Sequence, residues 1–120
     1  MAKTTVSPIF RIFDYSKAKE FYIDWLGFKI DWEDKNEGSP LYMQVSKGDI
    51  IIHLSEHHGD STPGSKVFIT TTEVKAYHSE LMRKEYKFNR PGLEKAPWKT
   101  PCFEVIDPFG NKLLFTEESK

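Results

Sequence analysis

The feature that most limits the fold is Asp107-Pro108-Phe109-Gly110, a turn signal set between two alternating runs. Asp in the first position can bond its own backbone, Pro presets φ at the second, and Gly accommodates the fourth. Phe103 and Val105 before the turn, and Leu113 and Phe115 after it, put an apolar side chain at every second residue, as half-buried strands do. The last third therefore predicts a β-hairpin, followed by the charged tail Glu117-Glu118-Ser119-Lys120. A closing hairpin of this kind needs a sheet to join.

The upstream chain supplies the material for one. Val6 to Phe13 has strand composition, with Pro8 near its start, where a missing N–H is tolerated at an edge or bend. Asp14 or Ser16 offers a helix N-cap. Ala18, Phe21, Tyr22, Trp25 and Leu26 then fall on one wide helical face, and Gly27 ends it. Phe28 to Glu33, Leu41 to Ser46 and Asp49 to Ser55 read as strands, the last two joined at Lys47-Gly48. The run Ile50-Ile51-Ile52 predicts a strand covered on both faces. Glu56 to Ser65, with His57 and His58, reads as a linker. The order then begins again: strand at Val67 to Thr71, a cap at Thr72 or a neighbour, and a helix carrying Val74, Tyr77, Leu81 and Met82. The loop Asn89 to Pro97 has room for one short strand before the hairpin.

Each half is strand, cap, helix, then two or three strands. The expectation is a single domain over 1–120, with module one at 1–58, a linker at 56–65 and module two at 66–120. Two βαβββ modules side by side give an α+β fold, a curved mixed sheet with helices outside. An α+β sandwich of the ferredoxin type is the alternative, and the repeat favours the first.

Composition narrows the function. At 120 residues and 38% apolar, the chain can bury one core. A formal net charge of −1 provides no basic field to gather phosphates, so no nucleic-acid partner is expected. The single Cys102 fits a reducing compartment and has no basic neighbour in sequence to make it a nucleophile. No phosphate-binding Gly-rich loop is present, since Gly59 and Gly64 lack a following Lys-Ser or Lys-Thr. Met1 to Thr5 leads into no signal-peptide apolar core, and no apolar run approaches the ~20 residues needed to span a bilayer. The expectation is a cytoplasmic protein with no membrane partner.

Phe13-Asp14-Tyr15-Ser16-Lys17-Ala18-Lys19-Glu20-Phe21-Tyr22, followed by Trp25-Leu26-Gly27-Phe28, resembles the first-helix signature of the glyoxalase/bleomycin-resistance (vicinal oxygen chelate) superfamily. Asp107-Pro108-Phe109-Gly110-Asn111 is similar to that superfamily's final hairpin. The resemblance implies metal-ligand positions on inward-facing strands. They fall at Ser7, at His53, at or beside Lys66-Val67, and at Leu114. His53 is the only one of a metal-binding type, so the resemblance implies no metal, no cofactor and no catalytic residue. It points instead to the non-catalytic bleomycin-resistance branch, which binds its drug in grooves at a dimer interface. Leu26-Gly27-Phe28-Lys29-Ile30-Asp31-Trp32 resembles that branch's second-strand segment, and Pro97-Trp98 its pair ahead of the hairpin. Pro8 stands where the branch has a proline at the hinge of an exchanged N-terminal strand, which implies a homodimer.

A bleomycin-type glycopeptide carries flat rings and a cationic tail. Flat rings need aromatic faces, and cations need carboxylates or π-clouds. Trp32, Tyr42, Phe68 and Trp98 are the candidate faces; Asp31, Glu33 and Glu104 are the candidate charges. The bland readings stand beside these. Trp25 is core, Tyr42 and Phe68 can simply pack, and His53 is a satisfied inward histidine. A surface zinc site from His53, His57 and His58 competes with a solvated loop. The acidic cluster Asp31-Glu33-Asp34-Glu37 is also what protects a sheet edge. The competing functions are a metal-dependent lyase or dioxygenase of the same superfamily, and a binder of another metabolite.

Overall fold

The computed structural model describes residues 4–36, 38–86 and 89–118. Of the sequence features above, the first residues Met1 to Lys3, Glu37 of the acidic cluster, and Ser119 and Lys120 of the tail lie outside the described residues. The chain divides into two compact units, Met1–Pro63 and Gly64–Lys120.

In the first unit, strand β1 (Ile9–Arg11) leads to helix α1 (Tyr15–Lys19), and α1 runs directly into a π-helix at Glu20–Trp25. Asp14 caps α1, its Oδ1 accepting from Lys17 N at 3.0 Å. The wider π turn appears as Leu26 N bonding Phe21 O at 2.9 Å, five residues back. Periodicity alone predicted an ordinary helix. The apolar face is nonetheless as expected: Ala18, Phe21, Tyr22, Trp25 and Leu26 are all buried. Their rings pack edge to face, Phe21 on Tyr22 at 4.9 Å and Tyr22 on Phe28 at 6.2 Å between centroids. Gly27, at φ 84°, takes the left-handed position that ends the segment.

Strands β2 (Lys29–Asp34), β3 (Tyr42–Lys47) and β4 (Ile50–Ser55) complete a mixed sheet of order β1-β4-β3-β2, with β1 parallel to β4 and the other pairs antiparallel. Met43, Val45, Ile52 and Leu54 bury one face of it. The expectation of two-sided cover at Ile50 to Ile52 is corrected: only Ile52 is buried, and Ile50 and Ile51 are half-buried. Their strand turns one row toward the core and the other onto the open face.

The second unit repeats the order. Strand β5 (Lys66–Thr70), helix α2 (Val74–Arg83), β6 (Glu94–Lys95), β7 (Pro101–Ile106) and β8 (Lys112–Thr116) give a sheet of order β5-β8-β7-β6. Again the first strand is parallel to the last and the rest are antiparallel. Two mixed four-stranded sheets, each with its helical segment, make the α+β fold that the repeat implied, and not a ferredoxin sandwich. Phe103, Val105, Leu113 and Phe115 form the core face with Val74 and Leu81 of α2. The cap of α2 falls on a neighbour of Thr72, within the expectation, but without a side-chain cap. The cap position is Glu73, left-handed at φ 58° and making no side-chain cap bond; Val74 N donates instead to Glu117 Oε2 at 3.0 Å. The partner is 43 residues away, so no local motif announces it.

Among the described residues, no helix is long and apolar enough to cross a membrane.

Candidate functional site

Each sheet turns its second face away from the buried residues, and the aromatic side chains singled out above stand on these faces. In the first unit the two-residue turn Gly48-Asp49 fixes the β3–β4 register, with Lys47 opposite Ile50 and Gln44 opposite His53. Tyr42, Gln44, Ser46 and His53 therefore share the face opposite to Met43 and Leu54.

Strand β2 would ordinarily bring only alternate residues to that face. Its register breaks between Ile30, opposite Val45, and Trp32, opposite Gln44, so Asp31 is the extra residue of a β-bulge. The bulge turns the Asp31 carboxylate to the same side as the Trp32 indole. Asp31 Oδ2 accepts from Gln44 Nε2 at 2.9 Å and Oδ1 from Ser46 Oγ at 3.0 Å. The chain continues through the imidazole: His53 Nε2 lies 3.0 Å from Gln44 Oε1, and His53 Nδ1 lies 2.6 Å from the Tyr42 hydroxyl. Trp32 lies parallel to Tyr42, with 5.9 Å between centroids and 9° between planes, and meets His53 edge to face at 5.5 Å.

Glu33 lies elsewhere. It pairs with Met43, on the opposite parity, and accepts the Tyr15 hydroxyl at 3.0 Å. That bond, after partial burial, keeps the Tyr15 phenol above its ordinary pKa.

In the second unit, Phe68, Leu114 and Glu104 form one row across β5, β8 and β7. Trp98 comes from the loop between β6 and β7, which closes through Ala96 N to Thr100 O at 2.8 Å. Its indole leans on Phe68 with 5.5 Å between centroids, and its Nε1 donates to Thr116 Oγ1 at 3.0 Å. Thr116 is buried, so this bond pins the ring while Trp98 stays 37% exposed and Phe68 58% exposed. Glu104 is an ion-pair partner of Lys66 at 2.8 Å. The two faces thus differ: the Asp31 carboxylate is held by the neutral donors of Gln44 and Ser46 with Lys29 Nζ at 3.8 Å, while Glu104 is in close contact with the Lys66 cation.

Among the described residues no group of three or more His, Cys, Asp or Glu side chains is placed to hold a metal ion, at His57 and His58 or elsewhere. His53 has both ring nitrogens engaged, and Leu114 and Lys66 offer no ligand to a divalent cation. The residues present do not fit the metal centre of the superfamily's enzymes. Cys102 is buried in β7, and burial followed by the Glu94 charge raises its pKa, which keeps it a thiol.

The hydrogen bonds on Asp31, first from Gln44 and then from Ser46, hold its carboxyl below the ordinary carboxylate pKa. A depressed folded-state pKa contributes stability that is present above the unfolded value, about 3.9, and is lost as pH falls through the folded value. Asp31→Asn is therefore expected to lower stability at neutral pH and to flatten the acid side of the stability curve. Urea unfolding across the acid range measures it, and an unchanged acid limb in the variant would refute it.

The sequence profile described as glyoxalase superfamily protein matches residues 2–120. The chain belongs to this superfamily. No curated protein matches it significantly. Among solved structures, it is similar to the bleomycin-binding protein from bleomycin-producing Streptomyces verticillus complexed with copper(II)-bleomycin. The identity is 28%, with 98% of this chain and 99% of that one covered and a TM-score of 0.70. Another bleomycin-binding protein complexed with bleomycin is 17% identical over 97% of this chain and 99% of that one, with a TM-score of 0.74. An antibiotic-binding protein from a Streptomyces species is 24% identical over 99% of both chains, with a TM-score of 0.72. At such identities the last two establish the superfamily fold alone.

Proposed function

We propose that this superfamily member is a non-catalytic binding protein that sequesters a flat, cationic small molecule of the bleomycin glycopeptide class in the cytoplasm. The observation that carries the reading is the pair of open sheet faces, each bearing an exposed indole beside a second aromatic ring. A buried core has no use for these rings, and flat heterocycles stack on such faces. Trp32, Tyr42, Phe68 and Trp98 are the stacking residues, and Asp31 is the carboxylate for a cationic group. Glu104 contributes only where the ligand displaces Lys66.

The binding form is a homodimer with grooves at its interface, with exchange of the N-terminal strand near Pro8. Two features support this. β1 is only three residues long and lies at a sheet edge, so its parallel ladder to β4 is a small one for a partner's strand to replace. His53 N also donates to Pro8 O at 2.9 Å, so a change at Pro8 would reach a residue of the open face.

Calorimetric titration with bleomycin, metal-free and copper-loaded, tests the reading. Saturable binding at one drug per protomer is expected. An absence of heat at tens of micromolar drug would end the bleomycin reading and leave a binder of another metabolite.

A further inference from the structure

The open face of the second unit holds more positive charge than the acid beside it balances, and the strand register fixes where that charge lies. With Phe103, Val105, Leu113 and Phe115 in the core, the alternate residues form three rows on the open side. Lys66, Lys112 and Ile106 make the first row, Phe68, Leu114 and Glu104 the second, and Thr70, Thr116 and Cys102 the third. Trp98 is anchored in the third row, at Thr116, and leans on Phe68 in the second. The first row therefore lies on the far side of Phe68 from the indole, and it places a lysine on each of two neighbouring strands.

Those lysines are not equivalent. Lys66 Nζ reaches Glu104 Oε1 at 2.8 Å, so its side chain runs from β5 across β8 to β7 and lies along the open face. An ammonium has three donors, and this bond engages one of them. Lys112, half-buried, is in no ion pair among the described residues. The next acid on this face, Glu94, is opposite Cys102 in the third row. Two cations rooted on strands about 4.8 Å apart thus share a single carboxylate, and an anion accepting from both relieves their repulsion. The spacing suits one small molecule. Phe68 follows Lys66 by two residues, about 6.6 Å along the strand, so a ring stacked on Phe68 brings a group on its edge to the lysines. Phe68 is 58% and Ile106 44% exposed, so apolar surface borders the pair on two sides.

We propose that Lys66 and Lys112 form an anion subsite beside Phe68, so that the second-unit face takes a planar aromatic acid, its ring against Phe68 and Trp98 and its carboxylate between the two ammonium groups. The subsite goes beyond the drug reading. A neutral ring can stack on Phe68 and Trp98 without the lysines, and a cationic group is repelled by them.

Two isosteric probes test it, 2-naphthoate and the neutral 2-naphthamide, followed through the indole N–H signals by two-dimensional NMR. At low salt naphthoate is expected to bind about tenfold tighter, moving the Trp98 signal and not that of Trp32. The ratio should shrink toward one as NaCl rises to about 0.5 M, because the ammonium groups are open to screening. Lys112→Gln should weaken naphthoate about three- to tenfold, and Lys112→Glu should reverse the order of the two probes. Lys66→Gln should weaken naphthoate further, since it also leaves the Glu104 carboxylate without its cation. Naphthamide, bound by the rings alone, should keep its affinity throughout and so report that the variants are folded. Equal binding of the two probes at low salt, no binding of naphthoate at millimolar concentration, a preference that survives in the double variant Lys66→Gln/Lys112→Gln, or a response at Trp32 alone would overturn the proposal. If bleomycin gives no heat while naphthoate still selects this face, the drug assignment fails and the anion subsite stands. If bleomycin binds and the probes do not discriminate, the reverse holds.

Discussion

Replacing Trp98 with alanine is expected to weaken drug binding about a hundredfold, equivalent to about 2.7 kcal/mol, with a much smaller effect on stability. The expectation comes from how the ring is held. Its loop is closed by the Ala96–Thr100 bond, and its Nε1–H is committed to Thr116 Oγ1, which also lies 3.0 Å from Thr100 Oγ1. A large aromatic surface fixed before the ligand arrives loses little rotamer freedom on binding, which is what makes such residues dominate an interface. Phe68 stands 55° to it, so the pair offers a corner of two faces rather than a flat plate. Trp98→Phe keeps a π-face but loses the anchor to Thr116, and should fall between wild type and alanine, at about a tenfold loss. Calorimetric titration of the three proteins with the same drug measures the series. Should Trp98→Ala bind as the wild type does, the ligand does not use this face, and Trp32→Ala becomes the deciding variant.

Much of the fold was legible because its signals are local. The spacing from Ala18 to Leu26 marks a buried face whether the turns are α or π, so the core was found although the helix type was not. The closing hairpin is legible for the same reason, since its turn chemistry lies within five residues. The α2 cap was legible to within a residue, but the group that bonds its free N–H was not, because Glu117 returns from the far end of the unit.

The candidate site divides along the same line. Trp32, Tyr42, Phe68 and Trp98 were singled out by type, since aromatic residues beside strand patterns are conspicuous, and their stacking on a ligand is the proposal above. Their partners were not. The pairing of Gln44 with His53 was within reach only with the turn one residue further on: read at Lys47-Gly48, the turn sets Gln44 opposite Ile51, whereas the turn at Gly48-Asp49 sets it opposite His53. The side to which Asp31 points was not, because it depends on a bulge, and nothing in Lys29-Ile30-Asp31-Trp32 announces an unpaired residue. Simple alternation brings Asp31 and Glu33 to one face together; the bulge separates them, sending Asp31 to Gln44 and leaving Glu33 with Tyr15.

The hairpin carries the largest stability effect expected of a single side chain on the open-face architecture. Asp107→Ala should cost about 3–4 kcal/mol, a large share of the 5–15 kcal/mol typical of a whole domain. The Asp107 side chain is 4% exposed, so water does not replace what it provides. Its Oδ1 accepts from Phe109 N at 2.9 Å and Asn111 N at 2.8 Å, while Oδ2 accepts from Asn111 Nδ2 at 2.9 Å. Alanine strands three donors at once, and each buried orphan costs about 1–3 kcal/mol. Gly110, at φ 92°, adds a conformation that only this turn justifies. Asp107→Asn retains one oxygen for the two backbone donors and loses the side-chain pair, so about 1–2 kcal/mol is expected of it. The damage extends beyond the turn because β8 is paired on both sides, with β5 and β7. Its Leu114 holds Phe68 and Glu104 in register, so a loosened hairpin also disorders the row on which Trp98 rests. Urea unfolding of the two variants gives the costs, and drug titration of the folded fraction gives the coupling. An alanine variant as stable as wild type would mean that the turn is held by its backbone bonds alone, Asp107 N to Asn111 O and Gly110 N to Asp107 O, and that the sheet positions the aromatic face without it.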